Sequence, residues 1–309
     1  MTYDNFKQSV LDAVRNHFSD SATVTITSVT KNNGQLYDAL VIRETDCNIS
    51  PSIYLNYYYS KTIENGEKAW TMDRVMESIF HTYSEIKVSK KVDLNFFINF
   101  ENVKDNLFIK IINKELNKDL LTDVPYIEYL DLAIVFSYFV DENFCNGNLC
   151  QGAASILIHN NHMNLWNITK EELYKIALNN TPRIMGYCRF NMGDVIDLSS
   201  IIPSCCEPEN NFQDVDIPFI VLTNKHQLFG AAVLCDIDEL DSVATMLECN
   251  LVIIPSSIHE IIVFRTCDCP APDELEAMIN EVNRNDVSHE EILSNHPYFY
   301  IRDIKKVVC

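Results

Sequence analysis

Residues 22–43 read ATVTITSVTKNNGQLYDALVIR, and this stretch governs how the N-terminal part of the chain folds. Residues 22–30 alternate β-branched and polar side chains, which is the pattern of a half-buried strand. A second apolar run, residues 36–43, follows Asn33-Gly34, and both of these residues tolerate a positive φ. The pattern predicts an antiparallel β-hairpin with its turn at residues 31–34.

Amphipathic helices are predicted on both sides of this hairpin. Apolar side chains recur at helical spacing over residues 2–18 and again over residues 72–83. The sequence therefore predicts a helix–hairpin–helix unit at residues 1–90. The polar and basic residues 87–91 mark its end.

Beyond residue 90 the pattern predicts a sheet. The apolar runs LFIKII (107–112) and YLDLAIVFSYFV (129–140) are typical of strands, and we expect the second to be one central strand buried on both faces. Thr169 and Glu172 have the spacing of a capping box and predict the start of a helix. Helices and strands follow in mixed order to residue 302, which indicates an α+β fold with a mixed, mostly antiparallel sheet.

Three domains are predicted: residues 1–90, a central α+β half at residues 91–202, and an acidic C-terminal α+β half at residues 203–309. Residues 203–216 are polar, include two prolines and predict an exposed loop. A weak similarity between residues 108–136 and 219–264 adds the hypothesis that the two α+β segments are related halves.

Composition excludes several classes of protein. The chain has 309 residues and a formal net charge of −20, and residues 201–309 carry 19 acidic against 6 basic side chains. Binding to nucleic acid phosphates requires basic surface, so we expect no such binding. No apolar run is long enough to span a membrane, and no secretory leader begins the sequence, so we expect a cytoplasmic protein. The 11 cysteines, an odd number, argue against a disulfide framework.

The familiar catalytic and cofactor motifs are absent from the sequence. It contains no phosphate loop, dinucleotide fingerprint, nucleophile elbow or HExxH, and 7 glycines are too few for a generous phosphate-binding loop. We therefore expect no cofactor and no metal.

The best local candidate for chemistry is PSSIHE at residues 255–260. Ser256 or Ser257 could act as a nucleophile, His259 as a base and Glu260 as the carboxylate that orients it. Residues this close along a strand alternate between its two faces, however. A Pro-Ser-Ser turn beside a hydrogen-bonded histidine is the simpler interpretation.

Three further positions are candidates. His159 and His162 have HxxH spacing, which could place two imidazoles on one helical turn as metal ligands, although no Asp, Glu or Cys shares that turn. Asp131 lies inside an apolar run, where a carboxylate needs a partner or a shifted pKa, so it is a catalytic candidate with a structural alternative. Asn32 and Asn33 in the hairpin turn are candidates for binding.

Several phrases of the sequence resemble an uncharacterised protein family of anaerobic gut Firmicutes and their mobile elements. The matching phrases are KNNG (31–34), SPSIYL (50–55), LDLAIV (130–135, after Pro125), IHNNH (158–162), WNI (166–168), LTN (222–224), GAA (230–232) and PSSIHE (255–260). A second bacterial family of unknown function is similar more distantly, in LWNITKEEL (165–173) and in a Pro-x-x-x-acid element like that at 255–260. The resemblance implies a cytoplasmic, full-length bacterial unit and transfers no catalytic residue.

These observations favour a non-enzymatic protein that binds another macromolecule. We expect a protein partner, basic in character, and no membrane, while the oligomeric state stays open. A narrower hypothesis is an inhibitor or adaptor of a mobile element that covers a basic site with its acidic face. The alternatives are a hydrolase or transferase built around His259 and Glu260, and a small-molecule sensor without turnover.

Overall fold

A computed structural model describes residues 1–45, 47–48, 50–63, 68–87, 95–140, 154–191 and 219–309. They group into two compact units. Unit 1 comprises Met1–Lys31, Gln35–Phe96 and Val140–Ala154, and unit 2 comprises Asn32–Gly34, Phe97–Phe139 and Ser155–Cys309. The predicted α+β class is confirmed, because helices and antiparallel sheets occur side by side in the chain.

Unit 1 contains a three-stranded antiparallel sheet in the order β1-β2-β3, with helices before and after it. Its elements are α1 (Tyr3–Phe18), β1 (Ala22–Thr30), β2 (Leu36–Glu44), β3 (Ser52–Tyr54), α2 (Leu55–Thr62) and α3 (Met72–Ile86). The predicted hairpin is confirmed: β1 and β2 pair along their whole length, from Ala22 opposite Glu44 to Thr30 opposite Leu36. Asn33 and Gly34 have φ values of 57° and 70°, as an Asn-Gly turn requires.

The core of unit 1 forms where the apolar faces of its helices meet the sheet. Phe6, Val10 and Val14 are the buried face of α1, at the spacing expected for a helix. They share one cluster with Leu40 and Ile42 of β2 and with the buried face of α3. The amphipathic patterns of residues 2–18 and 72–83 are therefore explained by packing on the sheet.

Unit 2 contains a four-stranded and a six-stranded sheet. Its elements are α4 (Phe100–Val103), β4 (Leu107–Asn113), β5 (Tyr126–Tyr129), β6 (Leu132–Val140), β7 (Ala154–Leu157), α5 (Asn160–Trp166), α6 (Lys170–Met185), β8 (Tyr187–Asn191), β9 (Ile220–Asn224), α7 (Ile237–Met246), β10 (Leu251–Ile254), β11 (Ile261–Arg265), α8 (Pro272–Asn285), β12 (Tyr298–Ile301) and β13 (Lys306–Val308). The first sheet has the order β4-β6-β5 with β7 beside β6, and the second has the order β13-β12-β10-β11-β9-β8. All five pairings in the six-stranded sheet are antiparallel.

Both predicted α+β segments contribute to the six-stranded sheet. β8 lies within residues 91–202 and pairs with β9, which lies within residues 203–309, from Tyr187 opposite Asn224 to Asn191 opposite Ile220. The hypothesis of two related halves stays a prediction. The predicted loop at residues 203–216 lies outside the described residues, as do Cys145, Cys150, Cys205 and Cys206.

The prediction of one continuous strand at residues 129–140 is wrong. β5 ends at Tyr129, β6 begins at Leu132, and the two strands form an antiparallel hairpin. Leu130 and Asp131 make the turn, in which Leu130 has a φ of 57°. Asp131 is therefore not inside a buried strand, and its side chain is 33% exposed. Leucine is not a turn residue by composition, so the sequence pattern concealed the break.

Helix α6 is fixed to β4 by buried polar side chains. The hydroxyl of Thr181 accepts a hydrogen bond from the backbone N–H of Ile109 and donates one to the carbonyl of Ala177. At the start of α6, Thr169 and Glu172 form the predicted capping box, with hydrogen bonds in both directions. No helix within the described ranges is long and apolar enough to cross a lipid bilayer.

Candidate functional site

Three side chains of different chemistry converge in unit 2: the carboxylate of Asp131, the imidazole of His296 and the thiol of Cys309. One oxygen of the carboxylate, one ring nitrogen and the sulfur atom all lie within 4.8 Å of one another. Asp131 comes from the β5–β6 turn, His296 precedes β12 and Cys309 follows β13. Because Phe299 of β12 pairs with Val308 of β13, the segments that carry His296 and Cys309 are adjacent. We call these three residues the Asp–His–Cys cluster.

Hydrogen bonds fix the carboxylate of this cluster in position. The phenol of Tyr298 donates to Oδ1 of Asp131 at 2.7 Å, and the hydroxyl of Ser294 donates to Oδ2 at 3.1 Å. Nε2 of His296 lies 3.3 Å from the same Oδ2 atom. Tyr298 and Ser294 are buried, so their bonds to Asp131 form largely away from solvent. The carboxylate therefore has a defined orientation before any ligand arrives.

The surroundings of the cluster favour a protonated thiol. Burial raises the pKa of the Cys309 thiol, and the negative charge of Asp131 raises it further. Burial likewise raises the pKa of Tyr298, and its hydrogen bond to Asp131 adds to this effect. A nucleophilic cysteine needs a lowered pKa, so the protein groups alone do not prepare Cys309 for attack on a substrate.

The residues of PSSIHE form a hydrogen-bonded turn between β10 and β11. The hydroxyl of Ser257 accepts a hydrogen bond from the backbone N–H of His259 at 3.0 Å, and the hydroxyl of Ser256 donates to Glu260 Oε1 at 3.3 Å. The backbone N–H of Ser257 donates to the carbonyl of Glu260. The side chains of Ser256, Ser257 and Glu260 thus have hydrogen-bond partners within the turn itself.

Both ring nitrogens of His259 face protein groups. Nδ1 accepts a hydrogen bond from the backbone N–H of Phe229 at 3.1 Å. The neutral ring therefore carries its proton on Nε2, which lies 3.5 Å from Oε1 of Glu291. The contacts described for His259 include neither Glu260 nor Asp131. A ring whose only lone pair is already engaged is poorly prepared to act as a general base.

His159 and His162 cap α5. Nδ1 of His162 accepts the backbone N–H of His159 at 3.1 Å, and Nδ1 of His159 lies 2.7 Å from Oδ2 of Asp123. The ring of His162 packs against Phe97 and Trp166, and burial lowers its pKa. Nδ1 of His162 therefore serves as a helix cap, whereas Nδ1 of His159 faces a carboxylate outside the helix.

Asn32 and Asn33 bind to the chain itself within unit 2. Asn33 is buried, and its side-chain amide donates to the carbonyls of His289 and Ile292, both at 2.7 Å. Its carbonyl oxygen accepts from Asn117 at 2.7 Å. The side chain of Asn32 donates to the carbonyl of Glu290 at 2.6 Å. Internal hydrogen bonds therefore use the whole side-chain amide of Asn33, which had been a candidate for binding.

Sequence reasoning included Asp131 among the candidates but missed its partners. His296, Tyr298 and Cys309 stand at ordinary positions around a short C-terminal strand, and no local spacing links them to residue 131. The one usable signal is that His296 and Tyr298 are two apart, which places both side chains on one face of an extended segment. Only the pairing of β12 with β13 brings Cys309 to the same place.

A second surface feature lies on α8. Its buried face consists of Leu275, Ile279 and Asn283, at the spacing of successive helical turns. Met278 and Val282, also one turn apart, are 57% and 49% exposed. We call this pair the α8 strip.

Comparison with known proteins identifies a family. A family model described as a family of unknown function (DUF5688) matches residues 3–302. No curated protein and no solved structure gives a significant match. The resemblance to an uncharacterised family that spans the chain is thus confirmed, while its setting in gut Firmicutes and mobile elements stays a prediction. Since the match extends over almost every residue, the chain belongs to the family of unknown function DUF5688.

Proposed function

We propose that this protein binds another protein, basic in character, through the outer face of α8. The observation that carries the proposal is the α8 strip, in which two large apolar side chains are exposed on a helix whose other exposed residues are mostly polar. Apolar side chains bordered by polar ones are the usual composition of a protein-binding surface. We therefore assign the expected macromolecular binding to this strip.

The charge around the strip favours a basic partner. Glu274 lies one turn before Met278, and Glu281 lies three residues after it, so both carboxylates border the strip on the helix surface. Asp273 and Glu276 add negative charge, and Arg284 is the one basic residue of α8. Lysine or arginine side chains around an apolar anchor would complement this surface.

The net charge of −20 also supports a protein rather than a nucleic acid as the partner. An inhibitor or adaptor that covers a basic site is the narrower version of the proposal. The hydrolase or transferase hypothesis has weaker support, because the described partners of His259 engage its ring and do not include Glu260.

The first experiment compares three immobilised proteins as baits in a lysate of the cells that produce the protein. They are the wild type, a strip variant with Met278→Ser and Val282→Ser, and a control with Ile304→Ser, whose isoleucine is 62% exposed outside α8. We expect a basic protein that the wild type and the control retain and the strip variant loses, as measured by quantitative mass spectrometry.

The captured protein is then purified and titrated against each variant by calorimetry. Loss of a central apolar anchor should weaken the dissociation constant at least about tenfold. Glu274→Gln with Glu281→Gln should reduce the salt dependence of binding, because exposed charges act through screened interactions. If all three baits retain the same proteins, or if the titrated affinity does not depend on the strip, the proposal is wrong.

A further inference from the structure

We propose that the Asp–His–Cys cluster binds one divalent transition-metal ion of the zinc type, with Asp131, His296 and Cys309 as its ligands. The site is independent of the α8 strip, because no residue is shared between them. It also goes beyond the sequence, in which no spacing connects these three residues.

The spacing of the donor atoms suits a tetrahedral ion. Zinc lies about 2.0–2.3 Å from oxygen, nitrogen and sulfur ligands, so neighbouring ligand atoms in a tetrahedron are about 3.3–3.6 Å apart. Oδ2 of Asp131 and Nε2 of His296 are already 3.3 Å apart. All three ligand atoms lie within 4.8 Å of one another, so Cys309 has to approach the other two by no more than about 1–1.5 Å to complete this geometry.

The chemistry of the donors selects among metals. A thiolate, an imidazole and a carboxylate together favour zinc and similar borderline ions over Mg²⁺ and Ca²⁺, which prefer oxygen ligands alone. Three protein ligands leave a fourth tetrahedral position for water or a ligand, as in catalytic zinc sites. Binding requires Cys309 to lose its thiol proton to solvent and Nε2 of His296 to present its lone pair, so that the neutral ring carries its proton on Nδ1.

The surrounding hydrogen bonds are those that a metal-binding carboxylate needs. Tyr298 and Ser294 donate to the two oxygens of Asp131 and fix its direction. Such outer partners hold a ligand in the orientation that the ion requires, and their loss commonly lowers metal affinity by about 10–100-fold. Ser294→Ala should therefore weaken binding by about this factor without removing a ligand.

Metal binding is tested with Zn²⁺ and with Co²⁺ as a spectroscopic probe. The purified, reduced full chain is loaded with either ion, desalted and measured by native mass spectrometry and absorption spectroscopy. We expect one tightly bound ion and a cobalt–thiolate charge-transfer band. Cys309→Ser should abolish the band, and His296→Ala should lower affinity by more than about 100-fold, beyond the effect of losing an outer partner. Cys267→Ser, which removes another exposed free thiol, should leave both results unchanged.

A second measurement needs no substitution and therefore does not depend on how a variant folds. The wild type is alkylated with iodoacetamide with and without one equivalent of Zn²⁺, and labelling of each cysteine is quantified by peptide mapping. Zn²⁺ should slow labelling of Cys309 at least about tenfold and leave Cys267 unaffected. If the wild type binds no metal, or if labelling of Cys309 is the same with and without Zn²⁺, the site does not exist.

Discussion

Nε2 of His296 lies 3.3 Å from Oδ2 of Asp131, although one residue precedes β12 and the other sits in the β5–β6 turn. The hydroxyl of Tyr298, which lies 167 residues after Asp131 in the sequence, donates a hydrogen bond to the same carboxylate. The carboxylate thus joins the hairpin of the four-stranded sheet to the start of a strand in the six-stranded sheet, both within unit 2. Asp131 consequently has a structural role in unit 2 whether or not an ion is bound.

Because Asp131 has this structural role, we predict that Tyr298→Phe lowers the stability of the protein. The substitution removes a buried donor to a carboxylate and leaves the packing of the ring in place, so the free energy of unfolding should fall by about 1–3 kcal/mol. Urea unfolding at neutral pH measures this change. Tyr57→Phe, at a tyrosine that is largely exposed, is the matched control and should change stability by less than about 0.5 kcal/mol. Equal effects of the two substitutions would contradict the role assigned to Asp131.

Gly230 is predicted to tolerate no side chain, because a Cβ atom there would lie 2.5 Å from the carbonyl oxygen of His259 and 2.8 Å from Cα of Thr223. The backbone would have to move, so Gly230→Ala should destabilise the protein by about 1–3 kcal/mol in thermal or urea unfolding.

Gly34→Ala is the comparison for this substitution. Its Cβ would meet nothing closer than a carbonyl oxygen at 3.8 Å, but its φ of 70° disfavours alanine. The expected cost is about 1 kcal/mol. A Gly230→Ala protein that is as stable as the wild type would show that the close approach at His259 can relax without cost.

We predict that the buried imidazole of His162 makes the protein less stable in mild acid. Burial lowers its pKa in the folded state, so below its unfolded pKa of about 6.5 the unfolded chain binds more protons than the folded one. Stability should therefore fall as the pH drops through about 6.5 towards the lower folded value. His226, whose pKa is also lowered chiefly by burial, contributes in the same direction.

His162→Gln tests this prediction, because glutamine keeps an acceptor for the backbone N–H of His159 and cannot titrate. Urea unfolding at several pH values should show that the free energy of unfolding falls less steeply below about pH 6.5 in the variant than in the wild type. The pH dependence that remains in the variant is then due to His226. An unchanged slope in the His162 variant would refute the assignment.

The elements that sequence predicted well are those whose signal is local. The alternation of residues 22–30, the Asn33-Gly34 turn and the Thr169–Glu172 capping box each depend on neighbours within a few residues, and each is found in the structure. The short strands β8 and β13 were missed, because three to five residues carry no reliable period. The turn at Leu130 was missed because its apolar side chain continues the pattern of the strands around it.

The candidate site was less predictable than the fold. Residues of PSSIHE and HNNH attracted attention because polar groups cluster in the sequence, yet their side chains largely complete turns and caps. The Asp–His–Cys cluster has the reverse character, since its members are scattered and only the β5–β6 turn and the β12–β13 pairing bring them together. Long-range convergence of this kind is a property of topology and leaves no local pattern.

Cys249 and Cys267 are predicted to form a disulfide readily. Their sulfur atoms are 3.9 Å apart, and a hydrogen bond from Thr266 lowers the pKa of the Cys249 thiol. With oxidised glutathione, one thiolate forms a mixed disulfide and the second displaces glutathione from it. Non-reducing peptide mapping should show this linkage before any other among the described cysteines.

The linkage should raise the free energy of unfolding by about 3 kcal/mol if it closes without strain. Cys249→Ser should abolish both the linkage and the gain, whereas Cys269→Ser should leave them. Persistence of both thiols, or preferential pairing of either with another cysteine, would contradict the prediction.

Leu130 is predicted to be a suboptimal residue in the β5–β6 turn. Its φ of 57° lies in the left-handed region, where a non-glycine residue is disfavoured by about 1–2 kcal/mol and asparagine is better tolerated than most. Leu130→Asn should therefore stabilise the protein. The gain should be only about 0.5–1 kcal/mol, because the substitution also removes the partial apolar burial of the leucine side chain. Leu130→Val should destabilise it, because β-branching makes a positive φ more costly still. Urea unfolding of the three proteins should rank asparagine above leucine and leucine above valine, and the reverse order would mean that the leucine side chain, rather than the backbone, dominates at this turn.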